Sequence, residues 1–199
     1  MLGGRVKYRT IVADPPWQYP EGWGRPPGGQ GERMALRAGI APEMRVRRPL
    51  PYPSMSQAAI EALPVAELAD PDGCHLYLWT TNRHLHAAFH VLDAWGFRFG
   101  QALTWCKAPM GAALGGAFSP TTEFILTARR GSLRHLERVD STWFRWPRMD
   151  RAHSRKPDAF LDLVERVSPA PRLEMFARRQ RLGWDTWGNE ALEHVELPA

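Results

Sequence analysis

The 199-residue chain is short of several things, and each shortage removes a class of reading. It has two cysteines, Cys74 and Cys106. Both sit inside apolar runs, and neither belongs to a CxxC pair, so they read as buried free thiols and not as a disulfide or a metal site. No apolar run approaches the ~20 residues of a membrane-spanning helix. The opening "MLGGRVKYRT" has no signal-type apolar stretch. A soluble protein of the cytoplasm is therefore expected. There is no GxGxxG, which leaves nicotinamide and flavin binding without their fingerprint, and no P-loop. The Gly-rich "PPGGQGE" follows no strand. The seven histidines show no metal-ligand spacing. His84, His86 and His90 fall at i, i+2 and i+6 of one expected helix, a poor match for one face, and read as surface or packing residues. No metal is expected, and no internal repeat is seen.

What is present points elsewhere. Hydrophobic residues make up 44% of the chain, enough for a core and against disorder. The net charge of +5 favours an anionic partner. Nine tryptophans interleave with arginines, a composition that also builds stacking surfaces for bases. Strand-type runs are "YRTIVAD", "CHLYLWT", "QALTWCK", "TEFILTA" and "RLEMFAR". Helical patterns are "SMSQAAIEAL", with Ser54 or Ser56 as N-cap, then Asn82 to Trp95 with Gly96 as stop. A further helix is "KPDAFLDLVERV", with Pro157 in its first turn. Strands alternating with helices predict an α/β fold with a mostly parallel sheet. One domain over 1–199 is expected. It would carry a long Gly/Pro/Arg-rich loop at 18–51 and an irregular basic loop at 129–155.

One corner stands out: "YRTIVADPPWQYP", residues 8–20. In parallel sheets ligands bind beyond the carboxyl ends of strands, and Asp14 stands at such an end. The exocyclic amine of a base is a poor nucleophile, because its lone pair is delocalised into the ring. An enzyme that alkylates it must accept hydrogen bonds from it. Asp14 supplies a carboxylate and Pro15 a fixed carbonyl, while Pro15 and Pro16 remove competing N–H donors. Such acceptors stabilise developing positive charge, and Trp17 could stack on a base taken out of its helix. The plain alternative is a strand-to-loop turn stiffened by two prolines. Lys156 is notable by itself. "HSRKPD" puts two cations at a helix start, which the macrodipole disfavours unless an anion docks there.

In this setting the chain resembles a known family. "DPPW" after an apolar strand looks like motif four of the adenine-N6 methyltransferases. The likeness is to the MT-A branch, which holds the catalytic subunit of the eukaryotic mRNA m6A writer and bacterial and phage relatives. "YPSMS", "HLYLWTTNRHL", "LTWCK", "TTEFILTARRG", "HSRKPDAFLDLVERVSP" and "LEMFARRQRLGWDTWGNE" match further blocks in order, from about residue 8 to 190. The resemblance implies a Rossmann-like S-adenosylmethionine-dependent methyltransferase fold with permuted motif order, the catalytic motif preceding the cofactor motif.

It also implies roles. Asp14, Pro15, Pro16 and Trp17 would be catalytic. Asp14, Lys156, Phe176, Arg178, Asn189 and Glu190 would bind S-adenosylmethionine. Trp17, Tyr52 and Lys156 would contact the target base. Ala177, Gln180, Arg181 and Glu190 stand where the eukaryotic enzyme has other residues, which leaves ribose contacts from Gln180 and Arg181 open. The expected partner is nucleic acid, DNA ahead of RNA, with 25–48 and 129–155 as contact segments. A homodimer or a partner subunit is a further expectation. The competing reading is a non-catalytic nucleic-acid-binding subunit; a basic α/β scaffold without chemistry is the blandest.

Overall fold

The computed structural model describes residues 6–19, 53–107, 118, 120–147, 155–188 and 195–198. Tyr52, Asn189, Glu190, most of the 18–51 loop and residues 148–154 lie outside them.

Seven strands form one sheet: β1 (Thr10–Ala13), β2 (Gly73–Thr80), β3 (Arg98–Cys106), β4 (Thr122–Gly131), β5 (Trp143–Phe144), β6 (Arg172–Met175) and β7 (Asp185–Trp187). Their order is β5-β3-β4-β2-β1-β6-β7. Only β4 runs antiparallel to its neighbours; β1–β2, β1–β6, β3–β5 and β6–β7 are parallel pairs. β1 and β6, far apart in sequence, are neighbours, with register Ala13↔Met175. This adjacency gives the permuted motif order a spatial meaning, since the first strand and the late "RLEM" strand share one crevice.

The apolar runs are continuous because both faces of the central strands are covered. Every residue of β1 and β2 is buried. Ile11, Ala13, Leu76 and Leu78 face one layer with Ile60, Val65, Ala88, Val91, Leu92 and Trp95. These come from α1 (Gln57–Glu61), α2 (Val65–Leu68) and α3 (Leu85–Ala94), with Trp95 next after α3. Val12, Tyr77 and Trp79 alternate to the other face, against Phe160, Leu161 and Val164 of α4 (Asp158–Val167). The period-two split of strand side chains thus places helices on both sides.

Local signals act as expected. Ser56, not Ser54, caps α1 by accepting from Ala59 N at 3.2 Å. A 3-10 turn at Asn82–His84 leads into α3. Gly96, at φ 72°, ends it, with Phe97 N donating to Leu92 O. Pro157 sits one step earlier than expected, as the extended N-cap of α4.

Within the expected irregular 129–155 segment, two short stretches are regular. Residues 129–131 continue β4, pairing with Gly73, Cys74 and His75, because register with the long β2 outweighs the polarity of "RRG". Trp143 and Phe144 form β5 at the opposite sheet end, level with Thr104 and Trp105. The segment therefore starts far from Asp14 and returns to the same sheet end.

Candidate active site

β1 delivers Asp14 to the carboxyl edge of the sheet, and the prolines turn the chain across it. The corner is stitched to the "YPSMS" block. Met55 N donates to Pro16 O at 2.8 Å, and Gln18 N to Met55 O at 3.1 Å. Pro15 O already accepts from Trp17 N at 2.8 Å, leaving its second lone pair for another donor.

Asp14, Pro15, Pro16, Trp17, Lys156 and Arg178 line one cavity, together with Tyr19, Thr80, Thr81 and Glu123. Its centre is an alternating charge chain. Lys156 Nζ lies 2.9 Å from Asp14 Oδ1 and 3.1 Å from Glu123 Oε2. Glu123 Oε1 in turn is ion-paired with Lys107 Nζ. The side chains of Asp14, Lys156 and Glu123 are only 23%, 16% and 10% exposed, so water screens their coupling weakly. The anion that justifies a cation at the start of α4 is thus supplied by the protein itself, from β1 and β4. Lys156 Nζ also lies 5.0 Å from the centre of the Trp79 ring.

The electrostatics follow from burial and neighbours. Burial pushes the Asp14 carboxyl above its usual range; Lys156 pulls it back and Glu123 pushes it up again. Burial would also raise Glu123, but Lys156 and Lys107 outweigh that and hold it low. Burial would lower Lys156, yet Asp14 and Glu123 keep it firmly protonated.

Trp17 lines the cavity and is at the same time packed into the corner. It is 6% exposed, and its ring lies over His84, centroids 5.4 Å apart and 12° from parallel. Its Nε1 donates to Trp79 O at 3.1 Å. It lines the cavity but acts as a buttress, because a buried indole needs both a packing face and an acceptor. Of the two roles expected for it, surface or packing, His84 takes the packing one. Its Nε2 faces Gln18 O at 3.1 Å, and its Nδ1 faces Thr81 Oγ1 at 3.3 Å. Its ring meets Tyr19 edge-on.

Just after β6, Phe176 takes the left-handed conformation, φ 62°, and packs edge-on against Trp187. Trp187 O accepts from Ala177 N at 3.0 Å. Gly188 is required there, since a Cβ would stand 2.6 Å from Ala177 N. Arg178 lines the Asp14 cavity. Arg181 does not: its guanidinium is held by Glu165 Oε1 at 2.7 Å and Asp162 Oδ1 at 2.6 Å on α4.

Three residues escaped sequence reasoning. Glu123 and Lys107 were visible only as charges in "TTEF" and "TWCK", and nothing local says that they meet. Glu174 is the third. Its Oε2 is buried with no hydrogen-bond partner among the described residues, and burial, reinforced by Asp14, raises its pKa to about 7. An acceptor left open beside Asp14, at the β1/β6 crevice, suits the hydroxyls of a ligand.

A doubly wound sheet with this carboxyl-edge site is a Rossmann-like fold of the methyltransferase class. The chain belongs to the MT-A70 family, whose model matches residues 39–190. It is similar to the Type II methyltransferase M.MunI of Mycoplasma sp, 28% identical over 203 residues, 98% of this chain and 82% of that protein. It is also similar to the N(6)-adenine-specific methyltransferase METTL4 of Homo sapiens, 26% identical over 98% of this chain. An N(6)-adenosine-methyltransferase MT-A70-like protein of Drosophila melanogaster is 27% identical over 96%. The chain spans 40% and 28% of these two eukaryotic relatives.

Proposed function

We propose that this chain transfers a methyl group from S-adenosylmethionine to the N6 amine of adenine in DNA. Family membership supports adenine-N6 methyl transfer as the reaction class. The bacterial relative, a Type II methyltransferase that the chain covers over most of its length, supports DNA as the polymer. The observation that carries the reading is the Asp14–Lys156–Glu123 bridge inside the cavity lined by the DPPW corner.

The residues present fit the cofactor. Glu174 offers the unpartnered acceptor for its ribose hydroxyls, and Lys156 and Arg178 offer cations for its carboxylate. Bound there, the cofactor would supply an activated methyl on a sulfonium. The chain's own residues would orient the amine. Asp14 accepts one N–H, and the free lone pair of Pro15 O accepts the other, so that the nitrogen lone pair is turned toward the methyl. Lys156 holds the Asp14 carboxylate ionised and in place, and Glu123 holds Lys156. Catalysis of this kind is positioning plus electrostatics. Tyr52, Asn189 and Glu190 remain assigned to base and cofactor contacts by resemblance.

The test offers methyl-labelled S-adenosylmethionine with double-stranded DNA, single-stranded DNA and RNA, to wild type and Asp14→Ala. The expected product is N6-methyladenine from wild type on DNA, lost in Asp14→Ala while the circular dichroism spectrum is kept. An active Asp14→Ala protein would overturn the mechanism. Label on RNA alone would replace the substrate. A chain that binds no cofactor would favour the non-catalytic subunit.

A further inference from the structure

Strand β5 and the residues after it sort their side chains onto two opposite faces. Phe144 and Trp146 point inward, half-buried, with rings stacked at 4.6 Å and 9°. Trp105 Nε1 donates to Trp146 O at 2.9 Å, and the Trp146 ring lies 6.1 Å from Phe160. The backbone ahead of the strand is pinned too, since Ser141 Oγ accepts from Trp143 N at 3.2 Å and donates to Trp143 O at 2.7 Å. Trp143 and Arg145 point the other way. Both are exposed, Trp143 at 59%. Among the described residues no ring packs on Trp143 and no carboxylate pairs with Arg145.

An exposed indole held on a pinned strand is a ready stacking surface. What covers it is indicated by its neighbour and its place. An exposed aromatic next to an exposed guanidinium matches a single nucleic-acid strand, which offers a base face and a phosphate in turn. β5 is parallel to β3, whose end carries Lys107, and β4 with Glu123 lies two strands away, about 10 Å. β1, which delivers Asp14, lies four strands from β5, about 19 Å away, so the face is met by the strand beyond the target nucleotide and not by the target itself.

We propose that Trp143 and Arg145 form a platform for the nucleic-acid strand flanking the target adenine, Trp143 stacking on a base and Arg145 meeting a phosphate. The proposal rests on the adenine-N6 reading and narrows the 129–155 contact segment to its returning end. Because a base face and a phosphate are common to DNA and RNA, the platform reads neither sequence nor sugar.

The test is anisotropy of a labelled 12-nucleotide DNA strand, and of its RNA counterpart, with the full chain, across 50–200 mM salt. Trp143→Ala should weaken binding roughly 5- to 100-fold with an unchanged salt slope, and Trp143→Phe should restore most of it. Arg145→Ala should lower the slope by about 0.7. Wild-type affinity and slope in both alanine variants would overturn the platform. So would a Trp143→Ala chain that loses self-association but keeps its strand affinity, which would make this face a protein interface. Failure of the underlying reading looks different, because the wild type would then bind no strand and transfer no label.

Discussion

Lys156 Nζ sits between two carboxylates, 2.9 Å from Asp14 and 3.1 Å from Glu123, so one ammonium ties the start of α4 to the ends of β1 and β4. Removing the ammonium leaves two acids facing each other. In Lys156→Met the pKa of Asp14 should rise, because the cation that lowers it is gone while burial and Glu123 still raise it. An ionised Asp14 is then reached only at higher pH. The acid limb of kcat/KM should move to higher pH, and cofactor affinity should fall. Stability should drop by about 3–5 kcal/mol, as for other broken buried pairs. A pH–rate profile, equilibrium cofactor binding and thermal unfolding check the three in turn; an unmoved acid limb would remove Lys156 from the control of Asp14.

Glu123 makes the opposite electrostatic prediction. Glu123→Gln removes the charge that raises Asp14, so the acid limb should move to lower pH. Lys156 loses one of its two tethers, and kcat should fall by about 10- to 100-fold through misplacement. The paired shift, up for Lys156→Met and down for Glu123→Gln, would not arise from general loosening of the fold.

His84 should matter through the corner it holds. His84→Ala removes the ring under Trp17 and the contacts to Gln18 O and Thr81. Losses of about 1–2 kcal/mol are expected for such contacts. That predicts about a tenfold drop in kcat/KM for the polymer with cofactor affinity kept. Equilibrium cofactor binding beside the methyl-transfer assay separates the two.

Two buried groups should shape stability in opposite directions. Glu174 has its pKa raised from 4.5 to about 7 by burial, so its cost appears as pH rises through that window. His75 has its pKa lowered from 6.5 to about 4, burial being the main cause, so stability is lost as pH falls from 6.5 toward 4. Each shift corresponds to at most about 3 kcal/mol. Denaturant unfolding from pH 4 to 8 should show Glu174→Gln gaining on wild type above pH 7. His75→Gln should flatten the acid side.

Ser168 ties that second group to the fold. Its Oγ lies 2.8 Å from both His75 Nδ1 and Tyr77 Oη. Ser168→Ala should cost about 1–3 kcal/mol, because two buried polar groups lose their partner at once. Methyl transfer below the unfolding temperature should persist, since this cluster lies at the amino end of β2, away from Asp14.

The elements and the DPPW corner were legible along the chain. The short strand-type runs "TIVA" and "HLYLW", the Ser56 cap, the Gly96 stop and the stripe of "AFLDLV" are local facts, written within a few residues of one another. DPPW was legible for the same reason, since its chemistry lies in four consecutive residues. Which charges meet depends on how the strands and α4 pack. Lys107, Glu123 and Lys156 come from three separate segments, and an ion pair across strands leaves no periodic trace in the chain. The same holds for Arg181, turned to α4, for Trp17, laid on His84, and for the 129–155 segment, divided between opposite sheet ends by its pairing with β2 and β3. Local patterns specify where the backbone is regular; burial against distant partners specifies what each side chain does there.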